Sequence, residues 1–191
     1  MRITSHKILQ LNPKYDLISG LSEREMKNPE GVGFDLRVGQ VHRLKEGGYL
    51  GVEKRKTPDI EKVADIADGS SAVTLGPEDF VLITTMETVN APAEKIELEP
   101  GSKPVHVMID VYPRSTLQRS GVFFRGTKID PGYKGTLTFG MRNLSQFPFT
   151  FELGARVANI VFTTVHGDLA RAYEGQWQGG RISTGGFEKQ N

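Results

Sequence analysis

From residue 126 to residue 142 the chain reads Gly-Thr-Lys-Ile-Asp-Pro-Gly-Tyr-Lys-Gly-Thr-Leu-Thr-Phe-Gly-Met-Arg. Pro131 and Gly132 suit the two central positions of a type II turn, and Asp130 suits the position before them. The alternating run from 134 to 142 is typical of a β-strand. This stretch predicts a β-hairpin with a carboxylate at its mouth.

Short apolar or alternating runs of the same kind follow one another from residue 34 onward, and each ends at Gly, Pro, Asn or Asp. They lie at residues 34–38, 41–45, 49–53, 72–75, 79–85, 104–111, 121–125, 134–142, 147–153 and 157–163. Runs with this punctuation predict an all-β sandwich or barrel. No internal repeat and no linker rich in proline and serine marks a second domain.

A few short helices are predicted beside the strands. Caps and breakers place them at residues 3–12, 22–28 and 115–120. In the first of them, Ser5 is the predicted cap and Pro13 the predicted stop. The polar stretch 54–70 is predicted to be an insertion that is partly helical.

The composition excludes several classes of protein. The chain has no cysteine and only four histidines, which excludes disulfides, thiolate metal sites and zinc deaminases with cysteine ligands. Its 24 basic and 23 acidic residues leave a net charge of +1, so no general affinity for nucleic acid or an anionic membrane is expected. The longest apolar runs have about four residues, whereas a membrane helix needs roughly 20. We therefore expect a single-domain, soluble protein of the cytoplasm.

Three segments offer groups to a phosphorylated ligand, and each also has a plainer explanation. The helix at 115–120 presents backbone N–H groups to an anion, or it is a capped connecting turn. Asp130 orients a water, or it only shapes the turn; the two roles are compatible. The tail from Tyr173 to Asn191 folds over a ligand as a lid, or it is a disordered terminus.

Six stretches occur in a recognisable order. They are Gly-Phe-Asp-Leu-Arg-Val-Gly at 33–39, Leu-Gly-Pro-Glu-Asp-Phe-Val-Leu at 75–82, Pro-Arg-Ser-Thr-Leu-Gln-Arg-Ser-Gly at 113–121, Ile-Asp-Pro-Gly-Tyr-Lys-Gly at 129–135, Gly-Ala-Arg-Val-Ala-Asn-Ile at 154–160 and Tyr-Glu-Gly-Gln-Trp-Gln-Gly at 173–179. Each alone is weakly specific. Together they resemble the motifs of the dCTP deaminase and dUTPase superfamily over nearly the whole chain.

The resemblance implies a distorted jelly-roll, the β-clip of dUTPases, with a few short helices. It implies a homotrimer whose active sites are shared between subunits. The implied ligand is dUTP or dCTP bound with Mg²⁺, and the triphosphate itself would hold most of the metal, so no direct protein ligand to the metal is predicted. Residues 1–172 would form the β domain and residues 173–191 a flexible lid.

The matched motifs also imply roles for single residues. Four match the positions that hold the triphosphate, where an arginine fork suits phosphate oxygens: Arg114, Ser115, Thr116 and Arg119. Three would present the base-binding segment: Thr127, Lys128 and Ile129. Asp130 would orient the attacking water, and Tyr133 would pack on the deoxyribose. The tail residues expected at the substrate are Tyr173, Gln178, Arg181 and Phe187.

The superfamily has two chemistries, and position 140 separates them. In the deaminases a glutamate ten residues beyond the turn aspartate moves protons as water attacks C4 of cytosine; here that position is Gly140. Glycine transfers no proton, and such help is worth roughly 10²–10⁴-fold in rate. The resemblance also breaks at Gln176, Gly180 and Asn159, where lysine, glutamine and glutamine are usual.

These differences favour a dUTPase-like hydrolase that converts dUTP and water to dUMP and diphosphate. Asp130 would be its water-orienting base. Two alternatives remain open at this point. One is a dCTP deaminase, alone or followed by hydrolysis, which would need another proton shuttle. The other is a non-catalytic regulator that binds nucleotides on the same fold.

Overall fold

The computed structural model describes residues 1–190 of the chain. The helices are α1 (Ser5–Tyr15), α2 (Glu23–Lys27) and α3 (Ser115–Arg119). The strands are β1 (Ile18–Ser19), β2 (Gly33–Leu44), β3 (Tyr49–Leu50), β4 (Lys54–Lys56), β5 (Ile60–Asp65), β6 (Ala72–Leu75), β7 (Phe80–Asn90), β8 (His106–Pro113), β9 (Val122–Phe124), β10 (Lys128–Ile129), β11 (Lys134–Asn143), β12 (Phe149–Glu152), β13 (Arg156–Val165) and β14 (Glu188–Lys189). Single turns of 3-10 helix cover Ile66–Asp68 and Gln178–Gly180.

One curled antiparallel sheet organises the fold. Its strands run in the order β10-β8-β13-β2-β7-β11-β9, with β1 added beside β7 and β5 beside β2. A second sheet pairs β12 with β6, and a third runs β14-β4-β3. The inner face carries the apolar core, in which Phe34, Ile83, Met141 and Phe162 are fully buried. The prediction of an all-β, distorted jelly-roll with a few short helices is confirmed.

The turn after Asp130 has the predicted geometry, but its arms do not form a hairpin. Gly132 has φ 104°, and the Tyr133 N–H donates to the Asp130 carbonyl at 3.2 Å, as a type II turn requires. However, β10 pairs with β8, whereas β11 pairs with β7 and β9. The backbone of Ala91 bonds Gly132 and Tyr133 and takes the place of the missing partner arm. The turn therefore joins two distant parts of the curled sheet.

The predicted helix boundaries need one correction. Helix α2 is capped by Ser22 inside the predicted range. Helix α1 is capped by Thr4 rather than Ser5, and it continues through Pro13 to Tyr15. The Asn12 side chain bonds both backbone groups of Ile18 at 2.8 Å, which holds the last turn of the helix against β1.

The stretch 54–70 was predicted to be a partly helical insertion, and the structure shows mostly strands there. It contains β4 and β5, and only one short helical turn follows them. Strand β5 pairs along the second half of β2 as an edge of the main sheet. The two predicted runs at 34–38 and 41–45 are likewise one strand, β2. Charged side chains are common on edge strands because they discourage pairing with other chains, which explains the polar pattern.

A buried ion pair links β2 to β7. The Glu87 carboxylate is fully buried and accepts hydrogen bonds from Nε of Arg37 at 2.7 Å and from the Arg37 backbone N–H at 2.8 Å. Burial raises the pKa of the Glu87 carboxyl, and the Arg37 hydrogen bonds act against that rise. An ion pair at this depth depends on both partners.

Candidate active site

A cavity of about 530 Å³ lies between the Asp130 turn, the start of β7, the middle of β11 and the C-terminal tail. Apolar and aromatic side chains form most of its wall, as is usual for small-molecule sites. Seven of the predicted site residues line it: Thr127, Lys128, Ile129, Asp130, Tyr133, Tyr173 and Arg181. Sequence reasoning missed Leu44, Phe80, Leu82 and Thr138, because strands far apart in the sequence bring them here.

Asp130 is the only carboxylate among residues 1–190 that lines this cavity. Its side chain is 43% exposed, and its Oδ1 lies 2.5 Å from Nζ of Lys128. A half-exposed carboxylate on a rigid turn is able to accept a hydrogen bond from a water and fix its position. The predicted catalytic residue therefore lies at the mouth of the cavity.

Tyr133 forms part of the wall and is held from two sides. Its hydroxyl donates to the Thr136 carbonyl at 2.5 Å, and its ring meets that of Tyr173 edge to face, with centroids 5.7 Å apart. Burial, helped by the neighbouring Tyr173, raises the pKa of Tyr133 to about 12. Tyr133 therefore stays protonated at neutral pH and presents a fixed ring to a ligand.

The four residues predicted to hold the triphosphate lie away from this cavity. None of Arg114, Ser115, Thr116 and Arg119 lines the cavity among the described residues. The Arg114 guanidinium bonds the buried carboxylate of Asp35 at 2.5 Å, and Arg156 reaches the same Oδ2 at 3.0 Å. Asn159 donates to the other oxygen at 2.9 Å. Two guanidinium groups on one carboxylate leave a net positive charge that suits an anion.

The first part of the tail packs on the Asp130 turn. The Tyr173 N–H donates to the Pro131 carbonyl at 2.7 Å. The Gln178 amide donates to the Gly132 carbonyl at 2.7 Å and accepts from the Lys134 N–H at 2.9 Å. The structure therefore places Gln178 on the turn rather than on the cavity wall.

The second part of the tail is fastened to residues 49–58 of the same chain, and we call this arrangement the tail latch. Strand β14 pairs with β4. The backbone N–H of Thr57 donates to the Thr184 hydroxyl at 3.0 Å, and the Thr184 N–H donates to the Thr57 hydroxyl at 2.8 Å. Glu188 accepts from Arg55 and Arg181, each at 2.9 Å.

The tail latch decides where Phe187 lies. Its ring packs edge to face on Tyr49, with centroids 5.7 Å apart, and it does not line the cavity. Trp177, Arg181 and Ile182 of the tail line the cavity instead. The described part of the predicted lid, residues 173–190, is thus packed on its own chain; Asn191 lies outside the described residues.

Phe80 fills the place of a side chain at position 140. A Cβ added to Gly140 would lie 2.9 Å from two carbons of the Phe80 ring, closer than real Cβ contacts. Gly140 pairs with Leu82 on β7, and both Leu82 and Phe80 line the cavity. In this chain the wall beside position 140 is therefore aromatic and carries no group that transfers a proton.

The protein has a curled antiparallel sheet with a carboxylate on its Pro-Gly turn, a cavity beside that turn and a tail packed on it. These features are those of the dCTP deaminase and dUTPase superfamily. The chain belongs to the dCTP deaminase-like family, whose model matches residues 6–165.

Individual relatives agree with this placement. A dCTP deaminase of Pyrococcus furiosus is 30% identical over 163 residues, covering 85% of each chain. A probable deoxyuridine 5'-triphosphate nucleotidohydrolase of Aeropyrum pernix is 29% identical over 148 residues, covering 78% of this chain and 83% of the relative. The crystal structure of a dCTP deaminase from Agrobacterium tumefaciens superposes with a TM-score of 0.62 at 17% identity, covering 88% of this chain and 49% of that one. The last comparison supports the fold alone.

Two further observations bear on metals and membranes. No cluster of three or more His, Asp or Glu residues able to hold a metal ion occurs among residues 1–190. In the same range no helix is long and apolar enough to cross a membrane.

Proposed function

We propose that the protein hydrolyses dUTP to dUMP and diphosphate. The observation that carries this proposal is Asp130, the one carboxylate on the cavity wall among the described residues, in a cavity where Phe80 occupies the place of a side chain at 140. Hydrolysis at phosphorus requires a positioned water and charge stabilisation. Deamination requires in addition a group that carries protons to the base, and this cavity has none at position 140.

In the proposed reaction the Asp130 carboxylate accepts a hydrogen bond from a water and takes its proton as the oxygen attacks the α-phosphorus. A new bond forms between that oxygen and the α-phosphorus. The bond from the α-phosphorus to the oxygen that bridges to the β-phosphorus breaks, and diphosphate leaves with that oxygen. The Tyr133 ring packs against the deoxyribose, and Arg181 closes the cavity from the tail.

The residues present fit Mg²⁺ that enters with the substrate. Mg²⁺ in nucleotide sites is usually held by phosphate oxygens and water with one or two carboxylates, so the cavity needs no cage of protein ligands. When bound, Mg²⁺ would neutralise charge on the triphosphate. The triphosphate itself would hold most of the Mg²⁺, and Asp130 would keep its role towards the water.

The separation of Arg114 from the Asp130 cavity supports shared sites in a homotrimer, and we propose that this homotrimer is cytoplasmic. In this proposal one subunit supplies Asp130 and the cavity, and a neighbour supplies Arg114 with Ser115, Thr116 and Arg119. The buried Asp35 holds Arg114 ready in one orientation. A ring of three identical subunits closes with one such site at each interface.

Mixed oligomers test this arrangement. Arg114→Ala and Asp130→Asn chains are each expected to release diphosphate far more slowly than the wild type when expressed alone. Co-expressed in equal amounts, they should regain activity, because about a quarter of the sites receive an intact residue from each side in a closed ring. Diphosphate release from the purified mixture measures the recovery. A mixture as inactive as its parents, with co-assembly shown by two affinity tags, would contradict the shared site.

The function itself is tested by incubating the protein with Mg²⁺ and, separately, dUTP, dCTP, dTTP and UTP. Diphosphate and ammonia are measured in each reaction. We expect diphosphate from dUTP and no ammonia from dCTP. Ammonia from dCTP would replace the proposal with deamination, and binding without turnover of any nucleotide would replace it with a regulatory role.

Deamination of dCTP is the second candidate, because the matching family model and the Pyrococcus relative carry that description. The obstacle to deamination is that the Phe80 ring occupies the place of a side chain at position 140. A substitution at this position tests that contact. Gly140→Glu is expected to turn the half-exposed Phe80 ring aside and to lower the free energy of unfolding by about 1 kcal/mol, the lower end of the usual cost of overpacking. Adding Phe80→Ala should recover most of that loss in chemical denaturation.

A matched control is Gly47→Glu, because a Cβ at Gly47 has no neighbour within 4 Å. That variant should unfold like the wild type. If Gly140→Glu were as stable as the wild type and released ammonia from dCTP, the Phe80 ring would not be the obstacle we describe.

A further inference from the structure

Three consecutive residues of β11, Leu137, Thr138 and Phe139, line the cavity, and Thr138 belongs to the outer face of the main sheet. On β11, Thr138 and Gly140 are two residues apart and therefore point to the same face. Thr138 pairs with Thr84 and Gly140 with Leu82 on the neighbouring strand β7. Thr138 and Leu82 line the cavity together with Phe80. Thr138 is thus a hydroxyl-bearing residue in an otherwise apolar part of the wall.

The Thr138 hydroxyl has no hydrogen-bond partner in the part of the chain that the structure describes. Its Oγ1 is buried and makes no hydrogen bond to any of residues 1–190. A buried hydroxyl without a partner destabilises a fold, and valine has nearly the same shape without that cost. Rotation about χ1 moves a threonine hydroxyl between staggered positions without moving the backbone. A polar group of a ligand in the cavity would therefore supply the partner that the fold does not.

We infer that Thr138 binds the nucleotide, and that its hydroxyl hydrogen-bonds a polar atom on the edge of the pyrimidine base. The inference rests on the proposed function. The base is the part of the ligand that suits this wall, because Phe80 and Leu82 offer apolar surface and no cation. The triphosphate requires positive groups, and the two basic residues of the cavity are Lys128 of the Asp130 turn and Arg181 of the tail. Thr138 is then a specificity-determining residue in a position where sequence motifs show only a strand.

The test compares Thr138→Val with Thr138→Ser and Thr84→Val. Thr84 is the cross-strand partner on the same face and does not line this cavity. Affinity for dUTP is measured with Mg²⁺ in the Asp130→Asn background, which prevents turnover, by titration calorimetry and by fluorescence of Trp177, the chain's only tryptophan. Thr138→Val is expected to bind dUTP about tenfold more weakly, the effect of one lost hydrogen bond. Thr138→Ser and Thr84→Val should bind like the parent.

Thermal unfolding separates this role from a structural one. Thr138→Val should melt at the same temperature as the parent or higher, because it removes an unpartnered buried hydroxyl. Unchanged affinity in Thr138→Val, or weaker binding that accompanies a lower melting temperature, would overturn the inference while the proposed function stood. Failure of the parent chain to bind any deoxynucleotide would instead contradict the proposed function, and the inference with it.

Discussion

Asp130→Asn is expected to slow diphosphate release from dUTP by about 10²–10⁴-fold, the usual contribution of a positioned general base. The amide keeps the shape of the side chain and its place on the turn, but it no longer takes a proton from water. Binding should change little, because the cavity wall and the tail stay as they are. The measurement is kcat and KM for dUTP at saturating Mg²⁺.

Asp168→Asn is the matched control for this change. Asp168 is an exposed aspartate that pairs with Lys95, as Asp130 pairs with Lys128, and it does not line the cavity. The control should keep wild-type kcat. Near-wild-type hydrolysis by Asp130→Asn would remove Asp130 from the mechanism, since the amide has no basic oxygen to replace the carboxylate.

Arg37→Ala is expected to lower the free energy of unfolding at pH 7 by about 3–5 kcal/mol, the usual cost of leaving a buried charge without its partner. Glu87 would remain fully buried with no guanidinium beside it. For a domain of this size such a loss is a large share of the total stability. Urea denaturation of the two proteins gives the difference.

The loss should depend on pH. Burial raises the pKa of the Glu87 carboxyl in the folded chain above its value in the unfolded chain, and removing Arg37 raises it further. Stability linked to the protonated form is present below the unfolded pKa and is lost as pH rises through the folded pKa. The difference between variant and wild type should therefore be smallest near pH 4 and grow towards pH 7.

Arg171→Ala provides the comparison, because Arg171 pairs with Glu174 on the surface, where both side chains are exposed. Removing such an exposed partner usually changes stability little. If Arg37→Ala were no less stable than Arg171→Ala at pH 7, the buried pair would contribute nothing that the surface pair does not.

Local signals predicted the parts of the fold that depend on neighbouring residues. The Pro131-Gly132 turn follows from the backbone preferences of two residues, and the Ser22 cap of α2 from one hydroxyl. Most strands were predicted from the alternation of apolar and polar residues within their own sequence. Pro13 shows the limit of such signals, because contacts of Asn12 with Ile18 hold α1 together beyond the residue that should end it.

Long-range pairing accounts for what the sequence did not predict. The polar stretch 54–70 became strands because β2 and the tail offered it partners. The two arms of the predicted hairpin pair with different strands, and the backbone of Ala91 bonds the turn between them. The turn and the tail at the cavity were predicted because they belong to motifs. Phe80 and Thr138 were not predicted, because only the pairing of β7 with β11 brings these two strand residues to the cavity.

The tail latch makes two distant segments of the sequence depend on each other, since Arg55 and Glu188 are 133 positions apart and form an ion pair. A substitution in either segment therefore has to be compatible with the residues that it contacts in the other. Exchange of the tail alone between this chain and a relative would separate Thr184 from Thr57 and β14 from β4. A recombinant that carries both segments together would keep these contacts, so residues 49–58 and residues 181–190 are expected to be exchanged successfully only as a pair.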